Sequence, residues 1–513
     1  MRIWPMKHVP YLLSIFLILC AAAALRICQN DLATAAEDGS LGAAGTEEPI
    51  FENWPKPQLA LLLSGAMDGY LEPCGCSGLE NQKGGLKRRH TLIRQLQADG
   101  WPVVALDLGG QVRRPGVQAE IKYRYAIESL IELGYEAIGF GIHELQLSSE
   151  AVLYTLANLD QEKNPLISAN VGVFGFNNGF SARYRVIEAA GKRIGVTAVL
   201  GREHRLALQG SKDVTWMAPE QALRDVLPKL QVKDCDLLVL MVHGEPEEAK
   251  QLAQQFPQFG FVTCSGADEP LSRPRTVEGA GSQLIEVGHK GMYVMVVGVY
   301  DDPEQPFRIQ RVPLDHRFAD SDAMQSKLVA YQNDLEQIGL DGLGLTGVKH
   351  PGGSFVGSAV CADCHTEADE VFQNTPHAHA TETLQKLDPP RHLDPECLSC
   401  HATGWNPQKY FPYSSGFLGL KETPHLVANG CENCHGPGGD HAAAESGDED
   451  VDDAELERLR SIMRREIVEN EGNRGSQVPG SVVKNCQDCH DLDNSPDFDF
   501  QEYWPKVEHY GKD

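Results

Sequence analysis

The sequence predicts an α/β (α+β) domain of buried sheets under helical cover, followed by a mainly α and irregular domain. Three observations carry this. The chain has 513 residues, too many for one ordinary core. Near-continuous apolar runs alternate with helical stretches between residues 58 and 315. Beyond residue 350 the chain becomes rich in cysteine and histidine and poor in aromatics, so it has little apolar mass for a core of its own.

The elements follow in chain order. Residues 1–36 have the parts of an export signal. Arg2 and Lys7 precede the apolar stretch "YLLSIFLILCAAAAL", and "LATAA" offers a cleavage point after Ala35. The apolar stretch is short for a membrane span. An uncleaved N-terminal anchor is the alternative reading, because Ala35 lies far from its end. Lipidation at Cys20 is disfavoured because a small residue is missing before it. The folded part is therefore expected to be periplasmic or otherwise exported, with membrane anchoring as a secondary expectation. Residues 37–57 read as a linker.

The first domain is expected over 58–344. Its strand candidates are 59–64, 103–108, 166–171, 193–199, 236–242 and 292–300, with helices such as "RRHTLIRQLQADG" and "AIESLIELG" between them. "VIEAAGKRIGVTAVLG" and "QLIEVGHKGMYVMVVGV" each read as a hairpin. The basic "QKGGLKRRH" reads as a solvated helix start. A glycine-rich joint spans 345–357, and the second domain runs over 358–513.

Eight of the 14 cysteines fall in four copies of one pattern, "CADCH", "CLSCH", "CENCH" and "CQDCH". A single C-x-x-C-H fits a zinc site or a redox dithiol as well as a haem. Four, each followed by histidine in an exported chain, point to c-type haem attachment. Two thiols three residues apart reach the two haem vinyl groups, and the next histidine sits under the iron. Four haem c groups are thus expected on Cys361, Cys364, Cys397, Cys400, Cys431, Cys434, Cys486 and Cys489, with proximal ligands His365, His401, His435 and His490. Seven further histidines, at 350, 377, 379, 392, 425, 441 and 509, are candidate second ligands. "AELERLRSIMRREIVE" predicts one amphipathic helix between the third and fourth motifs.

"VGSAVCADCHTEADEVFQNTPHAHATETL", "CLSCHATGW", "NGCENCHGPGGDH" and "CQDCHDLDNSPDFDFQEYWPKVEH" resemble the tetrahaem cytochrome c family that accepts electrons from hydroxylamine oxidoreductase. The resemblance covers about residues 354–510. It implies three haems with two histidine ligands and one five-coordinate haem. Carried over, the distal ligands are His377, His441 and His509, and the five-coordinate haem is the one on Cys397 and Cys400. His392 and His425 are fallback ligands for that haem. Phe372, where tryptophan is expected, and the acidic insert after His441 depart from the family.

Residues 58–315 resemble the metallophosphatase domain of 5'-nucleotidases, a two-sheet sandwich flanked by helices. The landmarks, in order, are "SGAMDGYLEPCGC", "LDLGGQ", "GFGIHELQ", "SANVGVF", "LMVHGEPEE" and "CSGADEP". Such enzymes hold two metal ions on Asp, Asn and His. Here Ala66-Met67-Asp68 replaces the first ligand motif, and Gly110 stands where the bridging Asp belongs. Ile142 replaces the Asn before His143 and Glu144, and the final motif becomes Gly266-Ala267-Asp268-Glu269. Among the ligand positions only His243 is clearly kept, so the domain is expected to be an inactive relative. A zinc or other metal on Cys74, Cys76, Cys264 and His243 is a further expectation, weighed against a disulfide or inert thiols.

The net charge of −27 argues against nucleic acid and anionic membrane surfaces as partners. The expected function is single-electron transfer through four haems to redox partner proteins outside the cytoplasm. The rival readings are a redox enzyme at the five-coordinate haem and a nucleotide phosphoesterase fused to a cytochrome.

Overall fold

The computed structural model describes residues 49–73, 82–157, 159, 164–176, 180–266, 269–345, 347–465, 482–491, 494–495 and 497–512. Trp54–Asp513 form one compact unit. The expected export segment lies outside the described residues. No helix among the described residues is long and apolar enough to cross a membrane.

Among the described residues, the strands of the first region begin with β1 (Leu59–Ser64), β2 (Val103–Asp107), β3 (Tyr135–Ile138), β4 (Val171–Val173), β5 (Arg185–Ala189), β6 (Lys192–Leu200) and β7 (Val214–Trp216). Then follow β8 (Leu237–His243), β9 (Phe261–Cys264), β10 (Arg275–Thr276), β11 (Gln283–Glu286), β12 (Tyr293–Val299) and β13 (Phe307–Pro313). One sheet has the order β13-β12-β1-β2-β3 and the other β10-β11-β9-β8-β6-β5, while β4 and β7 pair separately. The helices are α1 (Leu86–Ala98), α2 (Val117–Glu132), α3 (Ser149–Ala157), α4 (Pro219–Gln231), α5 (Pro246–Gln255) and α6 (Asp322–Gly342).

Side chains alternate across a strand, and both faces of these sheets are covered. Leu59, Leu61 and Leu63 of β1 meet Val196, Val239, Met241 and Phe261 of the opposite sheet in the inter-sheet core. Leu240 and Val242 of β8 point the other way, onto Val226 and Leu230 of α4 and Ala249 and Leu252 of α5. Double burial explains the unbroken apolar runs, since each such side chain contributes about 1.5–3 kcal/mol. The predicted two-sheet α/β architecture is what the chain adopts.

Two local expectations need correction. The segment "QLIEVGHKGMYVMVVGV" is not a hairpin. β11 pairs parallel with β9, whereas β12 pairs with β1 and β13. The turn carries the chain from one sheet to the other, with Gly288, Lys290 and Gly291 at positive φ. Residues 166–171 are not a continuous strand: Leu166 and Ile167 make isolated bridges, and β4 begins only at Val171. The β5–β6 hairpin forms as expected.

After α6 the chain makes short helices: α7 (Ser358–Ala362), α8 (Thr366–Gln373), α9 (Ala380–Gln385), α10 (Pro395–His401) and α11 (Cys431–His435). α12 (Gly439–Ser446), α13 (Asp453–Met463), α14 (Val482–Gln487) and α15 (Phe500–Tyr503) complete it. The expected amphipathic helix is α13, on which Leu459 is buried. This part has a small apolar cluster of its own, built on Phe355, Leu384, Leu398, Trp405, Phe417 and Leu426.

Candidate functional site

Each C-x-x-C-H motif closes one helical turn, which puts the two cysteines on one face with the histidine beside them. The His365 N–H donates to the Cys361 carbonyl at 2.9 Å, and the His490 N–H to the Cys486 carbonyl at 2.8 Å. α11 is the third motif itself, and α10 ends on the histidine of the second.

Contacts between motifs place them in an order different from the chain order. The thiols of Cys361 and Cys431 are within hydrogen-bond reach, which joins the first motif to the third. Asn485 Nδ2 donates to the Cys434 carbonyl at 3.2 Å, joining the third to the fourth. The Cys489 and Cys400 thiols also come within hydrogen-bond reach, joining the fourth to the second. The sequence of neighbours is first, third, fourth, second.

Three imidazoles are held in one tautomer. Nδ1 of His401 donates to the Ala380 carbonyl at 2.9 Å and Nδ1 of His435 to the Met463 carbonyl at 2.7 Å. Nδ1 of His509 donates to the Val507 carbonyl at 3.0 Å. A proton fixed on Nδ1 leaves the Nε2 lone pair for a metal. Met463 closes α13, so the amphipathic helix serves to orient His435. Burial holds His377, His401, His435, His441 and His490 below the usual histidine value, in the neutral form that binds metal.

Imidazoles also face one another. The His435 and His509 ring centres are 5.7 Å apart, and those of His377 and His490 are 6.0 Å apart. A metal bound by two imidazole nitrogens at about 2 Å each leaves ring centres about 6 Å apart. His365 lies close enough to His441 to lower its basicity electrostatically. His401 lies close enough to His377 and His490 to lower their basicity electrostatically. His379 is exposed and pairs with Glu382 at 3.4 Å. Nδ1 of His392 is buried with no partner. The thiol pairs, the Nε2 atoms left without the proton and the facing rings have the chemistry that covalently attached haem would need.

Buried carboxylates hold this scaffold together. Glu432, inside the third motif, accepts from the Val356 N–H at 3.0 Å, the Gly357 N–H at 2.7 Å and the Gly438 N–H at 2.8 Å. Asp394 caps α10, its Oδ1 accepting the Glu396 N–H at 3.0 Å. Burial raises the Glu396 carboxyl, but Lys122 and Arg114 outweigh that and keep it below the usual range.

In the first region, Cys74, Cys76 and Asp268 lie outside the described residues. Cys264 is buried in the helix-covered core, in register with Val242. His243 lies one residue further along β8 and faces the opposite side of the sheet, by alternation. The structure does not bring Cys264 and His243 together. The His243 ring instead lies against Gly110, where a Cβ would meet His243 Cε1 and Ala66 Cα at 2.9 Å. An aspartate at 110 has no room there. His204 approaches His243 with ring centres 5.4 Å apart, and His289 Nδ1 is 3.2 Å from Asp68 Oδ2. Sequence reading missed both His204 and His289, which lie outside the landmark motifs. Desolvation, aided by His204 and His143, holds His243 down at about 3. No group of His, Cys, Asp or Glu among the described residues is arranged to hold a metal ion.

Glu144 is buried in this cleft, and burial pushes its carboxyl up to about 7. The folded chain therefore keeps a proton that the unfolded chain releases from about pH 4.5 upward. Stability from this group is full below that pH and falls by about 3 kcal/mol as pH rises through about 7. Glu144→Gln is expected to remove that fall, read by denaturant titration at about pH 5 and pH 8. Identical pH profiles for the variant and the parent would exclude it.

Comparison with known proteins places these two regions. Residues 360–436 match the family model described as cytochrome c554 and c-prime. That match takes in the first three motifs, and the fourth lies beyond it. Cytochrome c-554 of Nitrosomonas europaea is 34% identical over 104 residues, 17% of this chain and 42% of that protein. The snake venom 5'-nucleotidase of Gloydius brevicauda is 25% identical over 233 residues, 44% of this chain and 39% of that protein. The chain thus spans about two fifths of the length of these relatives. The 5'-nucleotidase precursor of Thermus thermophilus aligns with a TM-score of 0.47 and 15% identity, over 64% of this chain and 68% of that one. The C-terminal part is similar to cytochrome c554 and the N-terminal part to 5'-nucleotidases.

Proposed function

We propose that the chain is an exported electron-transfer protein carrying four haem c groups, with the nucleotidase-like region as scaffold and docking unit. Bound haem supplies one-electron exchange at its iron. The chain supplies eight thiols for attachment, four proximal imidazoles and the contacts that set the order first, third, fourth, second. The observation that carries this reading is the facing of His435 with His509 and of His377 with His490 at the spacing two axial ligands require.

His441 serves His365 in the same way, and the centre on His401 keeps one position open. That open position favours a second reading, a redox enzyme acting on a small nitrogen or oxygen species. A two-metal phosphoesterase is not proposed, because Gly110 has no space for the bridging carboxylate. The partners are redox proteins outside the cytoplasm, and neither nucleic acid nor a zinc ion enters the proposal.

The test is iron content with spin resonance on the purified full chain. Four irons per chain that survive acid extraction, three low-spin and one high-spin, are expected. Fewer than four overturns the tetrahaem reading. Four low-spin irons remove the site for the enzymatic one, and turnover of a small nitrogen or oxygen compound at a high-spin iron would favour it.

A further inference from the structure

The second motif is held from outside its own region. Asp394, the cap of α10, is 5% exposed. Its Oδ1 accepts from Gln118 Nε2 at 2.7 Å and its Oδ2 from Gln332 Nε2 at 2.9 Å. These amides come from α2 and α6, the helices that pack through Tyr125, Leu328, Tyr331 and Leu335. Gln118 is itself fixed, donating to the Tyr331 hydroxyl at 2.9 Å. A cap needs one acceptor for its own helix. The second oxygen and both glutamine donors go beyond that need and tie the motif to the nucleotidase-like region.

Charge is arranged at the same place. Glu396 directly precedes Cys397. Its Oε2 lies 2.5 Å from Lys122 Nζ and its Oε1 2.9 Å from the Arg114 guanidinium. Arg114 also stacks on Tyr410, 3.6 Å above the ring centre. Lys122 is nearly buried while Glu396 and Arg114 are partly exposed, so the field of this group is only partly screened. Arg114, Lys122 and Arg113 all act on Glu396, and these three cations against the two carboxylates Glu396 and Asp394 leave a net positive charge at the start of the second motif. Arg391, buried between α9 and α10, adds an ion pair to Glu72 of the first region.

We infer that the nucleotidase-like region is a clamp for the second haem centre: Gln118 and Gln332 fix the helix that bears it, and Arg114 and Lys122 set its reduction potential against Glu396. This rests on the tetrahaem reading. A nearby positive charge favours the reduced, less positive iron, so the clamp raises that centre's potential. The four side chains are positioning residues, since none of them touches a reacting atom. The docking unit thereby gains a defined role, which is to make one centre a better electron acceptor than its neighbours.

The test is a redox titration of the full-length holoprotein, with the mass of the peptide containing Cys397 and Cys400 measured on the same preparation. Arg114→Gln with Lys122→Gln is expected to lower one midpoint, and Glu396→Gln to raise the same midpoint, while the others stay in place. A purely structural role moves both variants in the same direction or neither, and either result overturns the inference. If the double variant does not accumulate, Glu396→Gln decides by its sign alone: a fall or no change overturns the clamp. A parent peptide that lacks the mass of haem overturns the tetrahaem reading and the clamp with it. A parent peptide that carries haem, with midpoints that do not move, overturns the clamp alone.

Discussion

Glu432→Ala is expected to lower the unfolding free energy by about 3 kcal/mol, the consequence of stranding buried N–H donors that each cost about 1–3 kcal/mol when unsatisfied. The carboxylate is 2% exposed and draws together three stretches of backbone: the joint at Val356 and Gly357, the third motif itself, and the loop at Gly438. Gly357 starts the helix that carries Cys361, and Gly438 starts the helix that carries His441. One side chain therefore sets the first motif, the third motif and the helix of His441 relative to each other. Removing it releases some desolvation cost of the carboxylate, which keeps the net loss well below the sum of the individual hydrogen bonds. Glu432→Gln retains the volume but turns an NH₂ group toward N–H donors, so an intermediate loss of about 1–2 kcal/mol is expected. Denaturant titration should show a lower midpoint at unchanged slope. A loss below about 1 kcal/mol for the alanine variant would show that other contacts carry the joint.

How much of this was legible in the sequence depends on the range of the interaction. The four C-x-x-C-H turns were legible because thiol, thiol and imidazole meet within one helical turn, and spacing alone sets that geometry. The proposed distal histidines were not legible from spacing. His377 precedes the second motif in the chain yet faces His490 of the fourth, and the resemblance to a family, not the local pattern, named it as a candidate. The failed hairpin at Gln283–Val299 is instructive. Two apolar runs around a Gly-His-Lys-Gly turn look alike whether the chain folds back or crosses to a second sheet, because the faces that must be covered belong to distant strands. The zinc expectation joined Cys264 to His243 by nearness to a cleft. Strand alternation, which puts one toward the helices and the other between the sheets, separates them. Gln118, Lys122 and Gln332 carry no motif in the sequence, and only the packed chain gives them a partner.

His509→Ala, His377→Ala and His441→Ala are each expected to convert one centre from low-spin to high-spin, one third of the low-spin signal per variant, with no loss of covalent iron. Attachment depends on the cysteines, so the distal ring can be removed without releasing the group. The pairings give each substitution its own address. His509 faces His435, whose Nδ1 is held by the end of α13, and His377 faces His490, whose Nδ1 lies 3.0 Å from the Ser495 hydroxyl. His441 lies close enough to His365, the histidine of the first motif, to feel its charge. Losses at three different centres are additive, since no variant touches another's iron, and the triple variant should carry four high-spin irons. His392→Ala is the control. Its Nδ1 is buried and unpartnered close to the second motif, which makes it the best remaining candidate to close the open position on His401. An unchanged spectrum in that variant keeps the second centre five-coordinate. A new high-spin signal there would assign His392 as its ligand and remove the structural basis for small-molecule chemistry at that iron. Spin resonance on the three single variants separates this arrangement from any in which the histidines merely pack: in that case no variant changes spin, and the facing rings lose their meaning as ligands.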